Sequence, residues 1–358
     1  LYLQGGGEKM STSNFIAKLL HWFDQNQRYL PWRLTNDPYA IWLSEIIMQQ
    51  TRISQGTAYW ERFMETYPTV EELAAASEDD VLKLWQGLGY YSRARNLHKA
   101  AQQIVALGHF PDTMEGLLQL RGVGEYTAAA IASFAFGQPT AAVDGNYFRV
   151  LSRVYGIDTP INSTEGKHEF QALADSLGKD YRTINAAIMD FGALQCTPKS
   201  PACIVCPLVE DCIALREGRV DLLPVKLKTV HQKTRHLVYL YLRCLGKVAI
   251  RRRGKGDIWQ GLWEPVLIEQ TPSDDKTVTS STAKQLLAHA SLLRSNVKHI
   301  LTHQILLADF YLLETSSRPA IPPDYVWIDE QNLDQYAIPR LIEILFEALP
   351  APNNHLNE

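Results

Sequence analysis

The chain of 358 residues has no long hydrophobic run, no leader-like start, no internal period and no surplus of positive charge. Its longest apolar stretches, Ala128 to Phe136 and Leu237 to Leu242, fall well short of the roughly 20 residues a spanning helix needs, so no membrane association is expected. Nothing near the start has the layout of a secretory leader, and an intracellular, cytoplasmic protein is expected. Residues 1–9, ahead of Met10, read as a tag remnant and stand outside the fold argument. The missing period excludes a solenoid. The net charge of −4 taken alone lowers the expectation of nucleic-acid binding. With 46% hydrophobic residues, disorder is excluded, and a chain of this length should build more than one core.

Cysteine is also scarce. Of the five, Cys244 stands alone, while Cys196, Cys203, Cys206 and Cys212 crowd into 17 residues. That distribution is a metal pattern rather than a disulfide framework. Pro198, Pro201 and Pro207 keep the intervening backbone irregular enough to turn four sulfurs inward. Zinc favours paired short hooks, and only one two-residue spacing is present. A [4Fe-4S] cluster therefore ranks first and a structural zinc second.

From Asn14 to Leu194 the sequence reads as successive amphipathic helices, with Phe15, Leu19, Trp22 and Phe23 forming the first stripe after Ser11 to Ser13. Similar patterns recur in Ala40 to Gln50, Ser92 to Leu107 and Ile184 to Leu194, divided by breakers such as Gly87-Leu88-Gly89 and Gly122-Val123-Gly124. Residues 221–233 suit a linker. Beyond it the pattern turns β-rich in Arg235 to Arg243, Lys247 to Arg253, Pro265 to Ile268, Val297 to Thr302, Ala308 to Leu313 and Tyr325 to Ile328. Helices near Ser281 to Ser295 and Ile338 to Leu349 would complete an α+β domain, with a polar loop at Thr271 to Ser280.

Several residues in this frame suggest chemistry. Glu45 has Ile41, Trp42 and Met48 as helical neighbours, and so apolar a setting should raise its pKa. Asp144 precedes Gly145-Asn146 at the start of a helical run, where first-turn amides would keep it ionised; on sequence alone a simple N-cap is the better account of it. Two carboxylates facing one cavity would be pushed apart into one acid and one permanent anion. Gly122 and Gly124 would permit a tight hairpin with backbone N–H groups free for phosphate, although an ordinary helix–helix turn fits the same residues. Trp32, Tyr90, Tyr91 and Tyr126 stand near turns, as aromatic wedges do in proteins that open a duplex, though single aromatics are more often core. Local basic clusters are Arg93, Arg95 and Lys99; Arg149 and Arg153; and Arg251, Arg252, Arg253 and Lys255. Each is as compatible with a solvated face as with a phosphate contact.

Taken together, Leu30-Pro31-Trp32-Arg33, Leu43-Ser44-Glu45-Ile46-Ile47-Met48-Gln49-Gln50-Thr51, Gly87-Leu88-Gly89-Tyr90-Tyr91, Gly122-Val123-Gly124, Val143-Asp144-Gly145-Asn146 and the four-cysteine loop resemble the helix-hairpin-helix glycosylase superfamily, and within it the MutY adenine glycosylase branch. The resemblance implies a multidomain protein. An all-α core at 10–220 would hold the hairpin at about 115–136 and the iron–sulfur loop at 196–212. An α+β Nudix-like recognition domain would follow at 234–358.

It further implies that Glu45 is the catalytic acid, that Asp144 stabilises the sugar cation, and that Cys196, Cys203, Cys206 and Cys212 hold [4Fe-4S]. Gln50, Thr51, Leu88 and Tyr90 would surround 8-oxoguanine, with Tyr90 wedged into the stack. Tyr126 falls where bifunctional relatives carry a Schiff-base lysine, which argues against strand cleavage through an imine. Asn146 and Tyr126 would support the two carboxylates, and Arg33 or Asp190 would orient Glu45. The C-terminal half lacks an Arg-Glu-x-x-Glu-Glu run, so it should recognise rather than hydrolyse. Its Leu301-Thr302-His303 stands where relatives often have Phe-Ser-His, so Thr302 and His303 keep a hydroxyl and an imidazole without the aromatic. The expected partner is double-stranded DNA with adenine opposite 8-oxoguanine or guanine, bound by a monomer. Rival readings are an endonuclease III-like glycosylase/lyase and a non-enzymatic iron–sulfur DNA-binding protein.

Overall fold

The computed structural model describes residues 10–227, 232–269 and 285–350, so residues 1–9 and the loop expected at Thr271 to Ser280 lie outside the described residues. Contacts gather the chain into two compact units: Leu1–Glu71 with Lys99–Lys228, and Glu72–His98 with Thr229–Glu358. The helices in chain order are α1 (Thr12–Asn26), α2 (Pro38–Met48), α3 (Ile53–Thr66), α4 (Val70–Ala75), α5 (Glu78–Trp85), α6 (Ser92–Leu107), α7 (Met114–Leu118), α8 (Glu125–Phe136), α9 (Gly145–Tyr155), α10 (Thr164–Asp175), α11 (Tyr181–Leu194) and α12 (Ile213–Arg216).

In the first unit, local chemistry sets the helix ends. Ser11 caps α1 by accepting from the Asn14 amide, and Asp37 caps α2 just ahead of Pro38, whose missing N–H is harmless at that position. The apolar stripe of α1 packs against α9, α10 and α11 in one core, where Phe15, Leu19, Tyr147, Phe170 and Phe191 are buried. Helix α2 is apolar nearly all round. Buried Asn185 on α11 knits the surroundings together: its Oδ1 accepts from Tyr147 Oη at 2.5 Å and the Ala142 amide at 3.1 Å. Its Nδ2 donates to Ser133 Oγ at 2.9 Å and the Thr140 carbonyl at 3.0 Å. Saturating this buried amide fixes the stretch leading into Asp144.

The second unit is built on strands β1 (Lys233–Cys244), β2 (Lys247–Arg252), β3 (Trp263–Glu264), β4 (Val266–Glu269), β5 (Ser291–Ile300), β6 (Gln304–Thr315) and β7 (Val326–Asp329). The order is β3-β2-β1-β6-β5, with β4 on β1 and β7 on β2. Strands β1 and β6 run parallel, and the other pairs are antiparallel. Leu245 and Gly246 both have positive φ, 49° and 72°, as a two-residue hairpin between β1 and β2 requires. Alternation along β1 sends Leu237, Tyr239 and Tyr241 to one face, beneath α13 (Arg340–Phe346), and Leu240 and Leu242 to the other.

Two expectations need correction here. The helix expected over Ser281 to Ser295 is helical only at 285–288 among the described residues, and from Ser291 the chain is strand. Pairing of Ser291 with Leu312 and Leu292 with Tyr311 satisfies its backbone, an outcome that a short apolar run cannot announce by periodicity. The run Arg251–Arg253 is not a free basic turn either. Arg251 Nε bonds the fully buried Glu264 at 3.0 Å, Arg253 pairs with Glu264 and Asp257, and Arg252 reaches Glu78 and Asp79 at 2.9 Å each. Those last two contacts belong to a larger set that docks 72–98 within the second unit. Lys83 donates to the Tyr336 carbonyl at 3.3 Å, Gln86 to Glu343 at 2.8 Å and Arg95 to the Gln260 carbonyl at 2.6 Å.

Candidate active site

A cavity of about 530 Å³ opens in the first unit, lined by Trp32, Arg33, Glu45, Met48, Thr51, Tyr126, Asp144 and Asn146 among others. Three elements deliver its polar groups. Glu45, half-buried, projects into the cavity from α2, whose other residues are almost all apolar and buried. Tyr126 lies in the first turn of α8 and donates through Oη to Glu45 Oε2 at 2.7 Å. Asp144 is the N-cap of α9: its Oδ1 accepts from the Asn146 amide at 2.8 Å and the Tyr147 amide at 2.9 Å, and its Oδ2 from Asn146 Nδ2 at 2.6 Å.

Burial lifts the Glu45 carboxyl to about 7; the Tyr126 hydrogen bond pulls it back, the Asp144 charge adds to the rise, and the Arg33 charge opposes it. Burial also raises Asp144, against the pull of the Tyr147 and Asn146 donors. The capping expected from sequence is present, and the upward direction is the price of placing the cap inside a cavity. Tyr126 is driven well above the ordinary phenol range, first by burial and then by the two carboxylates, so it remains a neutral donor.

Glu45, Asp144, Tyr126, Asn146, Trp32, Arg33 and Thr51 thus share one cavity. Asp190 serves differently from expectation. It lies fully buried and binds the Arg33 guanidinium through two bonds of 2.8 Å, while Arg28 adds its backbone amide and Nε, each at 2.8 Å. Burial works against ionisation of Asp190, but these bonds outweigh it and lower its pKa. Neither Arg33 nor Asp190 hydrogen-bonds Glu45 among the described contacts; Arg33 acts on Glu45 through its charge. Arg28 was not legible, because nothing in the sequence pairs it with a residue 162 positions away.

The pair Arg149 and Arg153 is likewise turned inward. Arg149 donates to Asn146 Oδ1 at 2.7 Å and, from the same guanidinium, to the carbonyls of Gly192 at 2.6 Å and Cys196 at 2.8 Å. Arg153, buried, holds the Val220 and Leu223 carbonyls at 3.0 and 3.1 Å and the Thr197 carbonyl at 2.7 Å. The four loop cysteines line one small pocket with Arg153, Phe191 and Leu208, and none is in a disulfide. Cys196 Sγ receives Arg153 Nη1 and Cys206 Sγ receives the Leu208 amide, both at 3.4 Å, and such donors suit sulfur that is to carry negative charge. Burial raises Cys203 and Cys212, and Cys206 to about 11, so metal loading must displace protons. Among the described residues no three His, Cys, Asp or Glu side chains are grouped to hold a single metal ion. Four sulfur donors lining one small pocket suit a metal group, whether an iron–sulfur cluster or a zinc.

At the hairpin between α7 and α8, Gly122 has φ 79° and needs glycine, whereas Gly124 is extended and caps α8. The Arg121 amide is already taken by Gln103 Oε1 at 2.7 Å. Gln50 and Tyr90 both have left-handed backbones, with φ of 54° and 47°. Such conformations are disfavoured for residues with a Cβ and collect at functional sites. Leu88 is buried, Tyr90 is 50% exposed, and Tyr90 Oη lies 3.1 Å from Thr302 Oγ1. The His303 carbonyl accepts from the Lys233 amide at 3.0 Å.

Residues 43–175 match the model of the HhH-GPD superfamily of base excision DNA repair proteins, and residues 238–348 match a NUDIX domain. An adenine DNA glycosylase of Rattus norvegicus is 44% identical over 226 residues, which is 59% of this chain and 44% of that protein. The chain thus spans less than half the length of that relative. An adenine DNA glycosylase of Buchnera aphidicola from Acyrthosiphon pisum is 33% identical over 261 residues, covering 71% of this chain and 74% of the relative. Among solved structures, a thermostable thymine-DNA glycosylase superposes with a TM-score of 0.52 at 29% identity, over 57% of this chain and 96% of that one. No helix among the described residues is long and apolar enough to cross a membrane.

Proposed function

This chain belongs to the adenine DNA glycosylase family, and from that premise we propose that it excises adenine opposite 8-oxoguanine, and opposite guanine, from double-stranded DNA. The observation that carries the reading is one cavity in which a protonatable Glu45, bonded by Tyr126, shares space with Asp144. Adenine must leave the duplex to enter such a cavity, because the glycosidic bond is out of reach inside the stack. With its pKa at about 7, Glu45 holds a proton at neutral pH that it can give to the purine, at N7. The sugar then develops positive charge, which the Asp144 carboxylate stabilises electrostatically while its three N–H donors favour the anion. Asn146 holds Asp144, and Arg149 holds Asn146. Water adds at C1′ and gives up a proton, and because Tyr126 offers a phenol where an imine would need an amine, the product is an abasic site in an intact strand.

Cys196, Cys203, Cys206 and Cys212 would hold a [4Fe-4S] cluster, whose contribution when bound is to order the loop. Leu88, Tyr90, Thr302 and His303 would contact the duplex around the opposite base, and Gln50 and Thr51 would contact DNA from their own unit. Trp32 and Arg33 would wall the base pocket, and the hairpin at Gly122 and Gly124 would meet phosphate.

Base release tests the reading. Duplexes with adenine opposite 8-oxoguanine should yield free adenine with no borohydride-trapped adduct. Release of thymine glycol from duplexes that carry it, with no adenine released from the mispair, or strong trapping, would replace this function with that of a glycosylase/lyase. Protein purified without oxygen should be brown, with about four irons per chain; one zinc and no iron would exclude the cluster.

A further inference from the structure

The turn that carries Tyr90 is held from below by a buried guanidinium. Arg93 is 8% exposed, its Nη2 lies 3.4 Å from the Leu88 carbonyl and 3.3 Å from the Gly89 carbonyl, and its guanidinium stacks over the rings of Trp85 at 5.0 Å and Tyr90 at 5.7 Å. The Gly89 carbonyl also accepts from Trp85 Nε1 at 3.0 Å, and the Tyr90 carbonyl from the Arg93 amide at 2.9 Å. Both peptide planes flanking Tyr90 are therefore gripped. Those planes define its backbone, which sits in the left-handed region that a residue with a Cβ avoids unless its surroundings impose it. At the far end the phenol is tethered to Thr302, so the half-exposed ring is fixed at its root, along one face and at its tip.

The geometry points to Arg93 as a positioning residue that presets Tyr90 for entry into the duplex beside the opposite base. Arg93 does not touch DNA in this scheme. Burial lowers its pKa only to about 10, so it is charged throughout the neutral range and can interact with the π face that Tyr90 turns toward it. Within its basic cluster, Arg93 thus acts through Tyr90 rather than on phosphate. The inference rests on Tyr90 being the residue that enters the stack.

The test is a double-mutant cycle on the full-length protein with duplexes carrying 2-aminopurine next to 8-oxoguanine. Fluorescence reports unstacking on binding, and single-turnover adenine release reports the reaction. Arg93→Met, which keeps side-chain bulk but removes the donors and the charge, should lower both the fluorescence rise and the release rate about tenfold, the size expected for losing a charged hydrogen-bond set. Arg93→Lys should restore part of the fluorescence rise. In a Tyr90→Ala background, Arg93→Met should have no further effect. If Tyr90→Ala alone leaves fluorescence and rate unchanged, the wedge role of Tyr90 fails, and with it the premise. If Tyr90→Ala is damaging but Arg93→Met is silent, or the two effects add, only the positioning role is overturned. If neither Arg93 variant melts cooperatively, Arg93 is a core residue and the positioning role is likewise overturned.

Discussion

Glu264 in the sheet unit and Glu45 in the helical unit are carboxylates held in opposite ways. Glu264 in the sheet unit is fully buried and saturated: Arg251, Arg253 and the Tyr239 hydroxyl all bond it. Glu45 in the helical unit receives one hydrogen bond, from a neutral phenol, and its nearest favourable charge, Arg33, is already committed to Asp190. A charge that is fully compensated is locked and contributes architecture. A carboxyl left short of donors keeps its proton near neutral pH and is available for chemistry.

Besides Glu45 itself, the largest expected effect on rate probes the anion of the pair. Asp144→Asn retains a good N-cap for α9, so folding should be little changed, whereas single-turnover adenine release should fall by about two to three orders of magnitude through loss of the negative charge. Equal rates for variant and wild type would make Asp144 a cap and nothing more. Next comes the saturated carboxylate: Glu264→Ala leaves Arg251 and Arg253 buried without their shared partner and should cost about 3 to 5 kcal/mol in a denaturant titration. A stability change under about 1 kcal/mol would show that the cluster relaxes, and the contrast between the units would weaken. The smallest effect is Tyr126→Phe. Burial holds Glu45 high and the Tyr126 bond holds it down, so removing the hydroxyl should move the alkaline limb of the pH–rate profile upward by up to about one unit. A downward shift would reverse the assigned direction of that bond.

Much of the helical unit was legible because its signals are local. Ser11 caps the first helix where the pattern begins, and the apolar neighbours of Glu45 already implied a raised pKa. Asp144 could be recognised as a cap, while its meeting with Glu45 and Tyr126 depended on packing among α2, α8 and α9. The basic clusters were the weakest guide. Arg149, Arg153, Arg251 and Arg253 turn inward to carbonyls and carboxylates, partnerships set by residues far away in the chain. The segment Glu72–His98 reads as one more helical stretch among its neighbours, yet it joins the sheet unit through contacts such as Tyr91 Oη to the Ile338 carbonyl at 3.4 Å. Periodicity states that a face is apolar and is silent on what covers it. Deleting the chain after the linker should therefore remove the support of Tyr90 as well as Thr302.

The central claim is that Glu45 delivers the proton, and a pH series of single-turnover adenine release, comparing wild type with Glu45→Gln, tests it most directly. The wild-type rate should fall as pH rises through about 7, while the variant should bind the duplex yet release adenine about two to four orders of magnitude more slowly, without that limb. In the variant, stability should move opposite to activity. Because the folded protein raises the Glu45 pKa from 4.5 to about 7, ionisation costs folding free energy as pH rises across that window, approaching about 3 kcal/mol above it. Glu45→Gln should therefore melt higher than wild type at alkaline pH. Near-normal release by Glu45→Gln, with the alkaline limb intact, would contradict the account.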